Sequence, residues 1–448
     1  MSTGIEQFAS NLNFGALSKA QELKKRIFFT LGALIIYRLG TYLPLPGIDP
    51  QAWSDIFTQK SGGLLDMFNM FAGGAFSRMS LFTLNIMPYI SAAIIMQLLT
   101  AMVPSFEQMK KEGEIGRKKI NQYTRYMTVG LAAVQAYGLA VWLENVQTST
   151  GGFAAMNPGL YFKASIIISI VGGTMFLMWL GEQITSRGVG NGISLIIFAG
   201  IVAELPRAIA GTLELGRQGA LAPFLILLIF LFVIAVITFI VFMERAQRRL
   251  IIQYPKRQHG NKMMGGDSSH IPLKLNTSGV IPPIFASSLL FLPLTMVGFM
   301  GSEGNETIDT LARYLQSGQP LYMIFYGSLV AFFAFFYTAI VFNPKDTAEN
   351  LRKYGGFIPG IRPGEKTAQY IDYVLTRITT IGAAYLVLVC LIPEFLMAKY
   401  QLPFYFGGTS LLIVVTVTMD TVAQIHSHLI AHQYEGLIKK SRLRGRRG

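Results

Sequence analysis

Three histidines near the C-terminus, His426, His428 and His432, are the best-spaced metal-ligand candidates, since the last two stand one helical turn apart. A metal site would need further ligands, and the chain has one cysteine, Cys390, and only scattered acids nearby. The histidines therefore read as a solvated helix end. Asp420 is the one ionisable residue deep in a strongly apolar stretch. It reads as the inner-end residue of a membrane span bonded to neighbouring hydroxyls rather than as a proton relay. No GxSxG, HExxH, GxGxxG or phosphate-loop spacing occurs. No catalytic, metal or cofactor residue is expected.

A different pattern involves isoleucine. Ile86 and Ile90 are four apart, hence on one helix face, and bracket Pro88. Ile193 and Ile197 repeat that spacing just after the glycine-rich GVGNG, Ile284 follows Pro282-Pro283, and Ile413 follows FGGTS. Each alone reads as ordinary packing. Together they set β-branched residues beside points where proline or glycine weakens a helix.

Two basic segments could bind anions. In ERAQRRLIIQYPKRQHGNK, Arg245, Arg248 and Arg249 stand at helical spacing, Tyr254-Pro255 turns the chain, and Lys256-Arg257 follow. In NPKDTAENLRKYGGFIPGIRPGEKTAQYID, Arg352, Lys353, Arg362 and Lys366 surround a Pro/Gly-rich turn. Topology control and anionic phospholipid, at ~1 kcal/mol per basic residue, would account for the charge. The length of the segments and the GIRPGE turn favour a docking surface for a large cytoplasmic partner, nucleic-acid phosphate among the possibilities.

The elements that must position these residues are membrane spans. Of 448 residues, 52% are hydrophobic and only 14% charged, far below the ~25% of a soluble domain. Gaps between charges, interrupted only by Arg38 near the far end of the first, mark ten spans: 27–43, 79–106, 126–143, 164–181, 188–203, 218–243, 275–302, 314–344, 378–393 and 400–419. With the N-terminus inside, 30 of the 38 Lys and Arg fall on the inner side and seven outside, so both termini are expected in the cytoplasm. Lys24-Lys25-Arg26 precede an apolar run with no small-residue cleavage site after it, so the first span is expected to persist. Five spans in each half would make any structural repeat an inverted one. The expected divisions are a cytoplasmic N-terminal segment (1–23), an N-terminal half (24–210), a C-terminal half (211–432) with cytoplasmic loops 244–275 and 343–377, and a basic tail (433–448).

One stretch fits neither a span nor a loop. MFNMFAGGAF, from Met67 to Phe76, is too apolar for a solvent loop and too short to cross ~30 Å of hydrocarbon.

The blocks FNMFAGGAFSR, NIMPYISAAIIMQLL, KKEGEIGRKKINQYTRY, GTMFLMWLGEQITSRGVGNGIS, FNPKDTAENL, GFIPGIRPGEKTAQYID and PFYFGGTSLLI resemble the SecY family over about residues 20–440. The resemblance implies an all-α polytopic membrane protein of ten transmembrane helices. Its two inverted five-helix halves would surround an hourglass pore in the bacterial cytoplasmic membrane. It implies a passive channel, not an enzyme, that exports unfolded secretory preproteins and releases transmembrane segments sideways through a gate between spans 2–3 and 7–8. The expected partners are the SecE and SecG subunits, the SecA motor ATPase, the ribosome with its RNA, signal peptides and anionic phospholipids. Carried over by position, the pore ring falls on Ile86, Ile90, Ile193, Ile197, Ile284 and Ile413, and gate positions on Ser91, Gln97 and Asn276. The plug covers about 64–76, with Leu64, Leu65, Met67, Phe68, Asn69, Met70 and Phe71 followed by a Gly73-Gly74 hinge. Arg362 matches an arginine needed for SecA engagement, with the other basic loop residues as SecA or ribosome contacts. A half-length helix of ~13 residues, about 20 Å long, could stopper a funnel from outside without spanning anything. A solute transporter would instead need mid-membrane charges or a polar pocket, and a membrane enzyme a reactive pair.

Overall fold

In lipid every backbone polar group must be satisfied within the protein, so apolar runs of span length become helices. The computed structural model describes residues 21–60, 69–146, 153–219, 222–254, 257–259, 262–264, 268–300, 319–400 and 407–444. Ten helices follow the ten predicted spans in order. They are α1 Gln21–Gly40, α3 Met87–Met102, α5 Glu114–Asn145, α6 Leu160–Arg187, α7 Gly192–Arg217, α8 Pro223–Arg245, α9 Ile281–Met300, α10 Pro320–Val341, α12 Glu365–Tyr400 and α13 Gly408–Arg444. Between them lie the shorter α2 Pro50–Lys60, α4 Pro104–Lys111 and α11 Pro344–Lys353. The connection after α8 forms strands β1 Gln247–Gln253, β2 Arg257–His259, β3 Lys262–Met264 and β4 Ser268–Lys274. The chain is a multi-pass membrane protein. Helix α8 is almost wholly apolar yet buries only Ile240 and Glu244, so the rest of its surface is left for lipid or a partner helix.

The first five spans form one group and the last five another. Within them α5 packs on α3 and α6, and α10 on α9 and α12. The groups meet at two seams: α9 lies against α3 and α5, and α13 against α7 and α1. One hydrophobic cluster runs through both halves, from Ala33 to Val417.

Several expectations are corrected. The span predicted from residue 79 becomes helical only at Met87, and residues 72–86 run through turns, with Met79 and Asn85 at φ +44° and +49°. Such backbone survives at membrane depth because protein groups satisfy it. The Leu45 amide donates to Met79 O (2.9 Å), the Leu81 amide to Leu43 O (2.8 Å), and Asn85 Nδ2 to Phe71 O (2.6 Å). At its other end α3 stops at Val103, and Pro104 starts α4 at a 96° bend, so the predicted span to 106 is broken. Pro88, Pro282-Pro283 and Gly190–Gly192 are not breaks inside helices; they lie at helix starts. A first-turn amide has no partner within its helix, so proline there forfeits nothing. Asn191 caps α7, accepting from the Ile193 and Ser194 amides at 3.1 and 3.4 Å. Of the arginines expected at helical spacing, Arg245 ends α8, whereas Arg248 and Arg249 lie on β1, which pairs antiparallel with β4, Leu250 facing Ile271. Leu250 and Ile252 point inward while Arg249 and Ile251 point out, the two-residue period of a strand. The predicted loop 343–377 is largely helical, since α12 already starts at Glu365.

Candidate functional site: a sealed constriction between the two halves

All six isoleucines expected in the ring sit near helix N-termini. Ile86 is the N-cap of α3, and the Ile90 amide bonds back to Ile86 O at 3.0 Å. Ile193 and Ile197 lie in the opening turns of α7, Ile284 in the first turn of α9, and Ile413 in the second of α13. Five of them are buried and Ile193 is half-buried against the same core cluster. Ile86, Ile90, Ile197 and Ile284 line one cavity with Phe71, Asn85 and Ser287, among others. Its volume is about 10 Å³, room for about one water at most. Ile193 and Ile413 do not line it, though both pack in the same core cluster. A gap that narrow and apolar excludes hydrated ions by dewetting.

Of the expected plug, Leu64, Leu65, Met67 and Phe68 lie outside the described residues. Asn69 to Phe71 are helical, and everything from Asn69 to Phe76 is buried. Gly73-Gly74, expected as a hinge, cap the helix. The Gly73 amide bonds Met70 O (3.1 Å) and the Gly74 amide bonds Asn69 O (2.9 Å), with Gly73 at φ +64°, the bond pair of a Schellman motif. Phe71 reaches the ring cavity, and Ser410 Oγ on α13 donates to Met70 Sδ at 3.2 Å. Asn69 Oδ1 accepts from the Ser77 amide (2.8 Å), and Trp53 Nε1 on α2 donates to Phe76 O (3.0 Å). The segment is thus held by polar contacts as well as packing.

At the gate seam, Ser91 and Gln97 lie on α3, and Asn276 precedes α9. The structure does not pair Asn276 with Gln97. Asn276 Nδ2 donates to Glu244 Oε1 (2.6 Å) and Gly279 O (3.0 Å), while its Oδ1 accepts from Ser278 Oγ (3.0 Å). Ser91 is buried, and Gln97 Oε1 is buried with no hydrogen-bond partner among the described residues. Sequence reasoning missed Glu244 as a partner; its one signal was an acid closing an otherwise uncharged run.

On the inner side the two basic segments join. Gln253 and Phe357 exchange backbone bonds at 2.9 and 3.0 Å, and Leu250, Ile252, Leu273, Leu351, Ile358 and Ile371 share a small core of their own. Arg245, Arg248, Arg249, Arg352, Lys353 and Arg362 are exposed around it. Thr367 Oγ1 donates to Arg362 O at 3.0 Å and steadies the turn that carries it. Lys353 pairs with Glu349 (3.2 Å), and Arg352 helps line a cavity of about 620 Å³ that also presents Lys345, Glu349 and Asp372. Arg257 belongs to β2, and Lys256 lies outside the described residues.

The family model described as SecY matches residues 80–422. The protein translocase subunit SecY of Escherichia coli K12 is 54% identical over 425 residues, 95% of this chain and 96% of that protein. The same subunit of Vibrio cholerae is 52% identical, covering 96% of this chain and 97% of its own. Among solved structures, one described as a protein conducting channel superposes with TM-score 0.65 at 20% identity over 90% of this chain and 92% of that one. Sec61 in the canine ribosome–channel complex superposes with TM-score 0.62 at 19% identity, over 90% and 92%. These two show a shared fold, and the bacterial relatives and the family model show descent: this chain belongs to the SecY family.

Proposed function

We propose that this chain is the pore subunit of a protein-conducting channel in the bacterial cytoplasmic membrane. It passes unfolded secretory polypeptides outward and releases apolar segments into lipid along the α9 seam with α3 and α5. The six isoleucines act as a gasket that offers no hydrogen bonds to ions and prefers no sequence, so varied chains slide through. Residues 64–76 act as the plug, and Ser91, Gln97 and Asn276 tune the gate. The basic cytoplasmic platform, Arg362 foremost, receives SecA or the ribosome, which supply the driving force. SecE and SecG accompany the chain in the membrane, with anionic phospholipids around it. The observation that carries this reading is the constriction, where helix starts from both halves converge on one apolar space of about 10 Å³ against Phe71.

The test is a secretory preprotein stalled part-way through full-length channels bearing single cysteines. Cross-links are expected at Ile86→Cys, Ile90→Cys and Ile413→Cys, and not at Leu231→Cys on the exposed face of α8. Cross-linking at Leu231→Cys with none at the ring positions would sink the proposal.

A further inference from the structure

Two arginines converge on one carbonyl at the end of the plug segment. Arg38 Nη1, from the last turn of α1, donates to Gly73 O at 2.7 Å, and Arg78 Nη2 donates to the same oxygen at 3.1 Å. Arg78 also ties back to the frame, its Nε donating to Thr41 O at 3.3 Å. The Tyr42 ring serves both cations, with Arg78 4.3 Å and Arg38 5.2 Å from its centroid, and its hydroxyl accepts from Arg38 Nη2 at 3.3 Å. The backbone between 73 and 78 is thereby stapled to α1 through side chains whose partners lie 35 and 37 residues away.

The chemistry of the acceptor explains why cations are used. Gly73 is the C′ residue after the helical residues 69–71, where carbonyls are left without intrahelical partners. A guanidinium there forms charge-assisted bonds, stronger than a neutral donor would make. Gly73 has no room to move aside: a Cβ on it would lie 2.7 Å from Gly200 Cα and 3.0 Å from Tyr37 Oη. A Cβ on Gly74 would collide with Glu204 Oε1, so a carboxylate on α7 stands beside the same turn and offsets the repulsion between the two cations.

We propose that Arg38 and Arg78 are positioning residues for the plug, a two-guanidinium clamp on Gly73 that holds the channel shut and must let go before a polypeptide passes. The inference rests on the reading of 64–76 as a plug. Because the donors belong to the frame, the clamp sets how often the resting channel opens without altering the ring.

The test uses full-length channels in planar bilayers, with a variant lacking residues 64–72 as the plugless reference. Each of Arg38→Gln and Arg78→Gln is expected to raise the resting open fraction on the order of tenfold, and the pair more, because one charge-assisted bond is lost at each step. Arg38→Lys restores most of the closure. Arg78→Lys restores less, since one ammonium cannot hold both Thr41 O and Gly73 O. A Met70→Cys/Ser410→Cys pair reports plug position by disulfide yield, with Cys390, which packs beside Gly408, replaced by alanine so that it cannot compete. That yield should fall in the glutamine variants. In the plugless channel the same substitutions should add no leak. Equal added leak there, or an unchanged disulfide yield in the glutamine variants, overturns the clamp. A plugless channel that leaks no more than the parent overturns the plug reading itself.

Discussion

The constriction and the cytoplasmic platform sit in one chain and are built in opposite ways. At the constriction, Ile86, Ile90, Ile197 and Ile284 come from three helices and meet around a space of about 10 Å³, with no charge on any of them. On the platform, Leu250, Ile252 and Ile371 are buried in a small core so that Arg248, Arg249 and Arg362 can stand in solvent. The first region works because nothing in it can be gripped. The second works because it offers charges that can be. Apolar exclusion is indifferent to salt, whereas exposed charges act over about 8 Å at physiological ionic strength and weaken as salt rises. On the proposed function, passing many sequences and recruiting particular partners are tasks separated onto different surfaces.

Three variants test that separation. Replacing Ile86 and Ile90 together with glycine should have the largest effect, raising ion leak roughly tenfold or more with a modest loss of export. Unchanged conductance in planar bilayers would break the ring half of the comparison. Next is Ile371→Ala, at a fully buried position in the platform core. It should destabilise the platform by about 2–4 kcal/mol, read as faster proteolysis of residues 247–274, while resting conductance stays at the parent value. A rise in leak equal to that of the glycine pair would show that the two regions are coupled after all. The smallest effect is expected from Arg362→Glu, which should reduce SecA-driven export several-fold, most at low salt, and leave assembly intact. Export by that variant at the parental rate across ionic strengths would remove Arg362 from the docking surface.

Much of this was legible residue by residue. Ten gaps, nine of them uncharged and the first holding only Arg38, became ten helices because mid-bilayer charge is expensive and lipid leaves the backbone no alternative to the helix. The isoleucines were visible as β-branched residues beside proline and glycine, but that punctuation was misread. Pro88, Pro282-Pro283 and Gly190–Gly192 start helices rather than interrupt them, since proline chemistry disfavours a helix interior and suits its first turn equally well. Residues 79–86 were misread as the start of a span for a related reason. Hydropathy reports burial, and this irregular stretch is buried by protein rather than by its own helix. Arg248 and Arg249 were placed on a helix because three basic residues say little about period; Leu250, Ile251 and Ile252 are all apolar, so the alternate burial that marks a strand shows only in the structure.

By itself, then, the sequence determined the number of spans, the sidedness implied by its basic residues, and the apolar character of what lines the centre. Those are properties of local composition read against a bilayer, and they need no knowledge of neighbours. Only the tertiary structure decided which isoleucines meet, that Ser410 touches Met70 across 340 residues, and that Arg38 and Arg78 share the Gly73 carbonyl. Such contacts arise where separate helices close on one another, and no periodicity along a single strand of sequence encodes the distance between two of them.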